Sequence, residues 1–296
     1  MERHKGDTRL EIICPLYNAA AYLLSLHTNL LSQKNVTIGK ISYVLTQSTD
    51  DTEKILQAHN IPFTMIKPDE FSHSLTREKV ALKSECDIVV FITQDIQIAN
   101  DQWLFNLVSP IINNEAAACY SRQISKHRNI EKYTREKNYP LNSFIVSKDD
   151  LPRLGLKTFF FSDAAAAIKT SVFQELNGYD GKDLPINEDM YMAYKIIMAG
   201  YKIKYCADSV VYHSHKLTLR QLYHRYYLTG IFMAQNPYLD QYGTVKAGGG
   251  LAGYVLRRAL CQFNLPVLLR FIPDMLTRYF GMKKGKKHQQ RQQGVR

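Results

Sequence analysis

The apolar positions of the chain follow two rhythms. Residues 10–16 form a short apolar run with Pro15 near its end and predict a buried strand. Residues 19–32 carry Tyr22, Leu23, Leu26 and Leu30 at helical spacing. Residues 41–45 and 63–66 read as further strands, and Ser48, Thr49 and Asp50 are capping residues ahead of Ile55 and Leu56. Residues 76–84 predict a helix, and residues 87–93 (DIVVFIT) a strongly apolar strand. This alternation over the first third of the chain predicts an α/β fold, a mainly parallel sheet covered by helices. Ligands of such sheets bind at the carboxyl ends of the strands. That directs attention to residues 15–18, 46–50, 71–77 and 94–97.

The second half is less regular. Residues 156–161 are apolar, and residues 164–173 read as a helix. Residues 187–199 give the clearest helix, with Asn187 as N-cap candidate and Glu188 and Asp189 in the first turn. Met190, Ala193, Tyr194, Ile197 and Met198 repeat at i, i+3, i+4, i+7 and i+8, and Gly200 supplies the stop. Residues 203–206 and 210–213 read as two strands.

Composition narrows the class. The 296 residues are 45% hydrophobic and 22% charged, which excludes general disorder. The net charge of +11 is concentrated: from Gly243 to Arg296 there are eleven Lys and Arg against one acid, Asp274. The body up to residue 242 is therefore nearly neutral, and no nucleic-acid recognition motif accompanies the charge. Cys14, Cys86, Cys119, Cys206 and Cys261 include no CxxC pair, which fits a reducing cytoplasm rather than a disulfide framework or a Cys-ligated zinc site. The charged start, Met1 to Arg9, resembles no secretory signal, and no stretch is long and apolar enough to span a bilayer.

The candidate chemistry lies where strands end and helices begin. Asp95 follows a buried strand; it is either a turn residue or a ligand for a hard divalent cation that holds a diphosphate. Glu188 and Asp189 are either first-turn acids stabilised by the helix dipole or a general base aimed into a cleft. Arg77, at the start of a helix, suits phosphate oxygens or plain solvent. His213 and His215, at i and i+2, should point to opposite sides of a strand, so only one of them is expected to ligate a given metal.

Taken in order, these segments resemble family-two glycosyltransferases of the GT-A fold. Cys14-Pro15-Leu16-Tyr17-Asn18 resembles the P-x-Y-N opening, and Ser48-Thr49-Asp50-Asp51-Thr52 the S-T-D-G-T segment. Phe71-Ser72-His73-Ser74-Leu75-Thr76-Arg77, Thr93-Gln94-Asp95, Phe159-Phe160-Phe161-Ser162-Asp163 and Asn187-Glu188-Asp189-Met190 resemble the bacterial rhamnosyltransferase branch. Ala199-Gly200-Tyr201-Lys202-Ile203 and Val211-Tyr212-His213-Ser214-His215 also match. The resemblance covers residues 10–235. It implies that Pro15, Leu16, Tyr17, Asn18, Arg77, Gln94 and Asp95 bind the nucleotide-sugar. It further implies that Asp95 and His213 hold Mg²⁺ or Mn²⁺, that Asp189 is the base, and that Ser162, Asp163, Glu188 and His215 lie near donor sugar or acceptor. The chain departs from the pattern where Leu45-Thr46-Gln47 replace an Asp before S-T-D, where Gln97 replaces the second acid of D-x-D, and where Asp51 and Ser74 replace glycines.

The implied function is inverting transfer of a sugar, foremost L-rhamnose from dTDP-β-L-rhamnose, to a lipid-linked glycan of bacterial surface polysaccharide. The alternatives are another nucleotide-sugar, or a non-catalytic nucleotide-sugar-binding subunit. The expected organisation is a catalytic domain (1–242), a hinge at Gly248-Gly249-Gly250, short helices divided by Pro266 and Pro273 (243–282), and a disordered basic tail (283–296). Bulky apolar residues interspersed with Arg257, Arg258, Arg270 and Arg278 suit either an anionic membrane surface or packing on protein, including a homodimer contact. The expected location is the cytoplasmic face of the inner membrane.

Overall fold

A computed structural model of the chain describes residues 8–294. Strands β1 (Arg9–Leu16), β2 (Thr37–Thr46) and β3 (Phe63–Ile66) alternate with helices α1 (Leu23–Leu31), α2 (Thr52–Ala58) and α3 (Leu75–Ala81). There follow β4 (Ile88–Ile92), β5 (Gln97–Ile98), α4 (Trp103–Ile112), β6 (Ala118–Ile124), α5 (Ile130–Asn138), β7 (Phe144–Val146) and α6 (Leu151–Leu154). Next come β8 (Ala165–Lys169), α7 (Thr170–Glu175), α8 (Glu188–Met198) and β9 (Ile203–Tyr212). Helices α9 (Leu219–Gln235), α10 (Thr244–Cys261) and α11 (Leu265–Gly294) complete the order. The strands form one sheet, β3-β2-β1-β4-β8-β6-β9-β5, with β7 also pairing β9. The β3 to β4 half is parallel, as the sequence predicts, and β8 runs antiparallel between β4 and β6.

Side-chain alternation builds a core on each face of the sheet. Leu10, Ile12, Cys14 and Leu16 of β1, with Ile88, Val90 and Ile92 of β4, pack beneath α1 and α4. Ile13, Val89 and Phe91 face the other way, toward α3, α7 and α8.

Residues 164–173 are not one helix. Strand β8 takes the first part, sending Ala165 and Ala167 into one core and Ala166 and Ile168 into the other. Alanine's helical preference is worth only a fraction of a kcal/mol per residue, and pairing on both edges in the middle of the sheet outweighs it. The two strands expected over 203–213 are one, β9, whose register shifts where it passes Ser121 and Arg122. It ends at Tyr212, so His213 lies beyond it.

The C-terminal part also departs from expectation. Gly248-Gly249-Gly250 lies within α10 rather than forming a hinge. Pro266 falls in the first turn of α11, where a missing N–H costs nothing, and Pro273 is carried within the helix. The tail expected to be disordered is helical to Gly294, with only Val295 and Arg296 of it outside the described residues. The reason is α9. Gly230 of α9 lies against the backbone of Met282 and Lys286, and Gly285 lies against Tyr227. A Cβ on Gly281 would stand 2.7 Å from the Tyr223 carbonyl, so glycine permits the close approach. Helix α10 docks on α5 through Val255 and Ala259 against Ile130 and Tyr133, and through Arg258 to Glu136 at 2.6 Å.

Candidate active site

The ends of β4 and β6, the loop after β9 and the start of α8 open on one cleft of about 1180 Å³. Asp95 follows β4 on one side. Because β9 stops at Tyr212, His213 and His215 are not held to opposite faces of a strand. His213 Nε2 is 3.5 Å, and His215 Nδ1 3.6 Å, from the same Asp95 Oδ2. One ligand atom from each residue lies within 4.8 Å of the others. The expectation that only one imidazole could serve a metal is therefore corrected, and the reason is the strand end. Gln97, in β5, is exposed and pairs with Tyr212. The trio of one carboxylate and two imidazoles fits a divalent cation. Gln123 fixes the His213 ring, its Oε1 3.0 Å from Nδ1, while its Nε2 donates to Ser162 Oγ at 2.8 Å. Burial pushes the Asp95 carboxyl up, but the hydrogen bond and charge of His213, with His215 and Thr93 behind them, outweigh it and hold it below the usual carboxylate range. Burial and the neighbouring His213 push His215 down, which favours the neutral imidazole a metal needs.

Asp189 and Glu188 line the same cleft from the first turn of α8. Asn187 precedes them at φ 59°, a left-handed conformation that replaces the expected side-chain cap. Its buried Nδ2 has no partner among the described residues and lines the cleft. Burial, then Glu188 and Asp163, push the Asp189 carboxyl well above its usual range. Those effects exceed the lowering that a helix N-terminus brings, and they leave a carboxylate of greater basicity at the cleft. Beneath it, Arg77 is buried, donates from Nη1 to the His73 carbonyl at 2.7 Å and stands 3.7 Å from Glu188. Asp163 is buried beside Tyr179, whose hydroxyl donates to Oδ2 at 2.6 Å.

The structure thus brings Arg77, Gln94, Asp95, Ser162, Asp163, Glu188, Asp189, His213 and His215 to one cleft. Pro15, Leu16, Tyr17 and Asn18 sit beside it rather than along its wall, and Leu16 belongs to the core. Gln94 joins the two: its Oε1 accepts the Tyr17 N–H at 2.7 Å and its Nε2 donates to the Tyr17 carbonyl at 2.8 Å. The S-T-D segment clamps the same loop. Ser48 accepts the Asn18 N–H at 3.0 Å, Thr52 that of Ala19 at 2.7 Å and Asp50 that of Ala20 at 3.0 Å. Ser74, in a glycine's place, is absorbed by bonds to the Lys182 carbonyl at 2.6 Å and the Leu184 N–H at 2.8 Å.

With this geometry in place, likeness to known proteins has a physical counterpart. Residues 11–176 match the profile of "Glycosyl transferase family 2". The O-antigen chain rhamnosyltransferase WbaN of Salmonella anatum is 35% identical over 283 residues, covering 93% of this chain and 88% of that protein. The O-antigen chain rhamnosyltransferase RfbN of Salmonella typhimurium is 34% identical over 290 residues, covering 94% and 90%. The chain belongs to glycosyl transferase family 2. Among solved structures, the mannosyltransferase PcManGT of Pyrobaculum calidifontis, in complex with GDP-Man and Mn²⁺, superposes with a TM-score of 0.62 at 16% identity, covering 95% of this chain and 86% of that one. At that identity the likeness speaks for the fold, which is GT-A.

The cleft of this glycosyltransferase also gathers residues that the sequence motifs do not mark. Gln123 follows Ser121 and Arg122 in the polar second half of β6, and Glu131 and Arg135, 2.7 Å apart on α5, form an i,i+4 pair behind it. Glu131 also accepts the His215 N–H at 2.7 Å. Arg270, Asp274 and Arg278 of α11, at i, i+4 and i+8, line the cleft too. The cationic segment is therefore part of the site's wall, not an appendage beyond it.

Proposed function

We propose that this glycosyltransferase moves L-rhamnose from dTDP-β-L-rhamnose to a hydroxyl of a lipid-linked glycan in bacterial surface polysaccharide synthesis. The observation that carries the reading is the relation to two O-antigen chain rhamnosyltransferases along nearly the whole chain. The cleft supplies the chemistry. Asp95, His213 and His215 would hold the divalent cation, which when bound supplies positive charge to the donor's diphosphate. Asp189 takes the proton from the acceptor hydroxyl as that oxygen bonds to the anomeric carbon and the bond to the diphosphate breaks. One displacement inverts the configuration, so the β-linked donor gives an α-rhamnoside. Arg77 fixes Glu188, which stands next to the base, and adds positive charge below the site. The loop from Pro15 to Asn18, clamped by Gln94, borders the nucleotide. Purified protein given dTDP-rhamnose, Mn²⁺ and lipid-linked acceptors should release dTDP and form a rhamnosylated product. No nucleotide release across several donors and acceptors would overturn the proposal.

A further inference from the structure

Helix α11 is built inside out for a helix at a protein surface. Its Arg270, Asp274 and Arg278 line the cleft, and Gly281 and Gly285 on the same side pack against α9. The opposite side is apolar and open. Leu265 is 62% exposed, Leu269 71%, Ile272 66%, Leu276 50%, Tyr279 58% and Phe280 54%. Their spacing, i, i+4, i+7, i+11, i+14 and i+15, is one continuous stripe at 3.6 residues per turn. Phe263, 91% exposed, and Leu260, 54% exposed, extend it across the turn from α10. An apolar patch of this length is not ordinary soluble surface. No helix among the described residues is long and apolar enough to cross a membrane, so the stripe is no part of a span.

Charge decides what covers it. Lys283 and Lys287 continue the stripe at the next turns, with Lys284 beside them, all exposed and without an ion pair among the described residues. Asp274, the one acid of α11, faces the cleft, where Arg278 holds it. A second copy docked on this face offers these lysines no acid: a parallel arrangement sets them against the copy's own lysines, and an antiparallel one against its Leu265 and Leu269. An anionic lipid surface accepts both features: apolar side chains enter the acyl boundary, and ammonium groups meet headgroup phosphates.

We propose that the outer face of α11, with the turn from α10, lies in the plane of an anionic bilayer and holds the cleft, walled by the helix's other face, at the membrane surface. The docking is independent of the donor. Its purpose, presenting the cleft to an acceptor whose lipid stays in the bilayer, rests on the proposed function.

The test is cosedimentation of the full-length protein with phosphatidylcholine vesicles containing or lacking phosphatidylglycerol. Wild type should partition onto anionic vesicles at least ~10-fold better than onto neutral ones. The triple variant Leu269→Asn, Ile272→Asn, Leu276→Asn, altered only on the open face, should lose at least ~10-fold of that binding. A second variant, Lys283→Gln, Lys284→Gln, Lys287→Gln, should lose most of the preference for anionic vesicles. No vesicle binding by wild type, or undiminished binding by the apolar triple variant, overturns the proposal. So does a wild-type dimer that stays off vesicles and that the triple variant turns into a monomer. Release of dTDP in vesicle-free buffer containing Mn²⁺ and detergent-solubilised lipid-linked acceptors, read on the same proteins, separates the failures: release without vesicle binding refutes the docking alone, and vesicle binding without release refutes the transferase reading alone.

Discussion

Replacing Asp163 by Asn should flatten the fall of stability with rising pH. Asp163 sits just before β8, fully enclosed, with Oδ2 bonded to the Tyr179 hydroxyl at 2.6 Å and Oδ1 without a partner. Burial pushes its carboxyl from 3.8 up to about 7, with Arg77 drawing it down and Glu188 pushing it up. Holding a carboxylate there therefore costs roughly 4 kcal/mol at full ionisation. The folded state keeps a proton that the unfolded chain has already released, so stability is fully present below the unfolded value and is lost as pH rises through the folded one. Between about pH 5 and pH 7 this group alone should remove about 2 kcal/mol. Asparagine keeps an oxygen for Tyr179 and cannot ionise. Urea unfolding of wild type and Asp163→Asn at steps across that range should show the two stabilities converging toward acid pH and separating by about 2 kcal/mol toward neutrality. Asp189, also raised, leaves a residual slope in both proteins. Parallel slopes would refute the argument and mean that Arg77 keeps Asp163 ionised throughout.

Arg77→Met should destabilise the fold by about 3–5 kcal/mol near neutral pH, because buried acids lose their cation; calorimetry should find a smaller loss near pH 5, where Asp163 is protonated. Gly285→Leu should cost about 1–3 kcal/mol, since its side chain meets the Tyr227 carbonyl, and hydrogen exchange should quicken in α11 before the sheet. Gln123→Leu leaves all three candidate ligands intact but frees the His213 ring; Mn²⁺ affinity, read by electron paramagnetic resonance, should fall about 10- to 100-fold.

What the sequence makes legible follows from what each signal measures. The strands β1 and β4 and the helix α8 are written in local periodicity, and each forms close to its expected bounds. Strand β8 is not, because Ala165, Ala166 and Ala167 owe their conformation to neighbours on both edges rather than to themselves. The histidines escape the alternation rule by one geometric step: the rule holds within a strand, and His213 follows its end. Gln123, Glu131 and Arg135 give a weak signal because what marks them is their bonds to distant side chains, which local pattern does not register. The tail of α11 has no strong apolar face of its own in Lys- and Gln-rich sequence. Its order comes from glycines meeting α9 across a long chain separation, which local pattern does not register.

Donor turnover by Asp189→Asn beside wild type tests the central claim most directly. With dTDP-rhamnose, Mn²⁺ and an acceptor that wild type uses, the variant should bind donor within a few-fold of wild type. It should release dTDP at least ~100-fold more slowly. Turnover equal to wild type would contradict the account, because no proton would then have to pass through the acid at the head of α8.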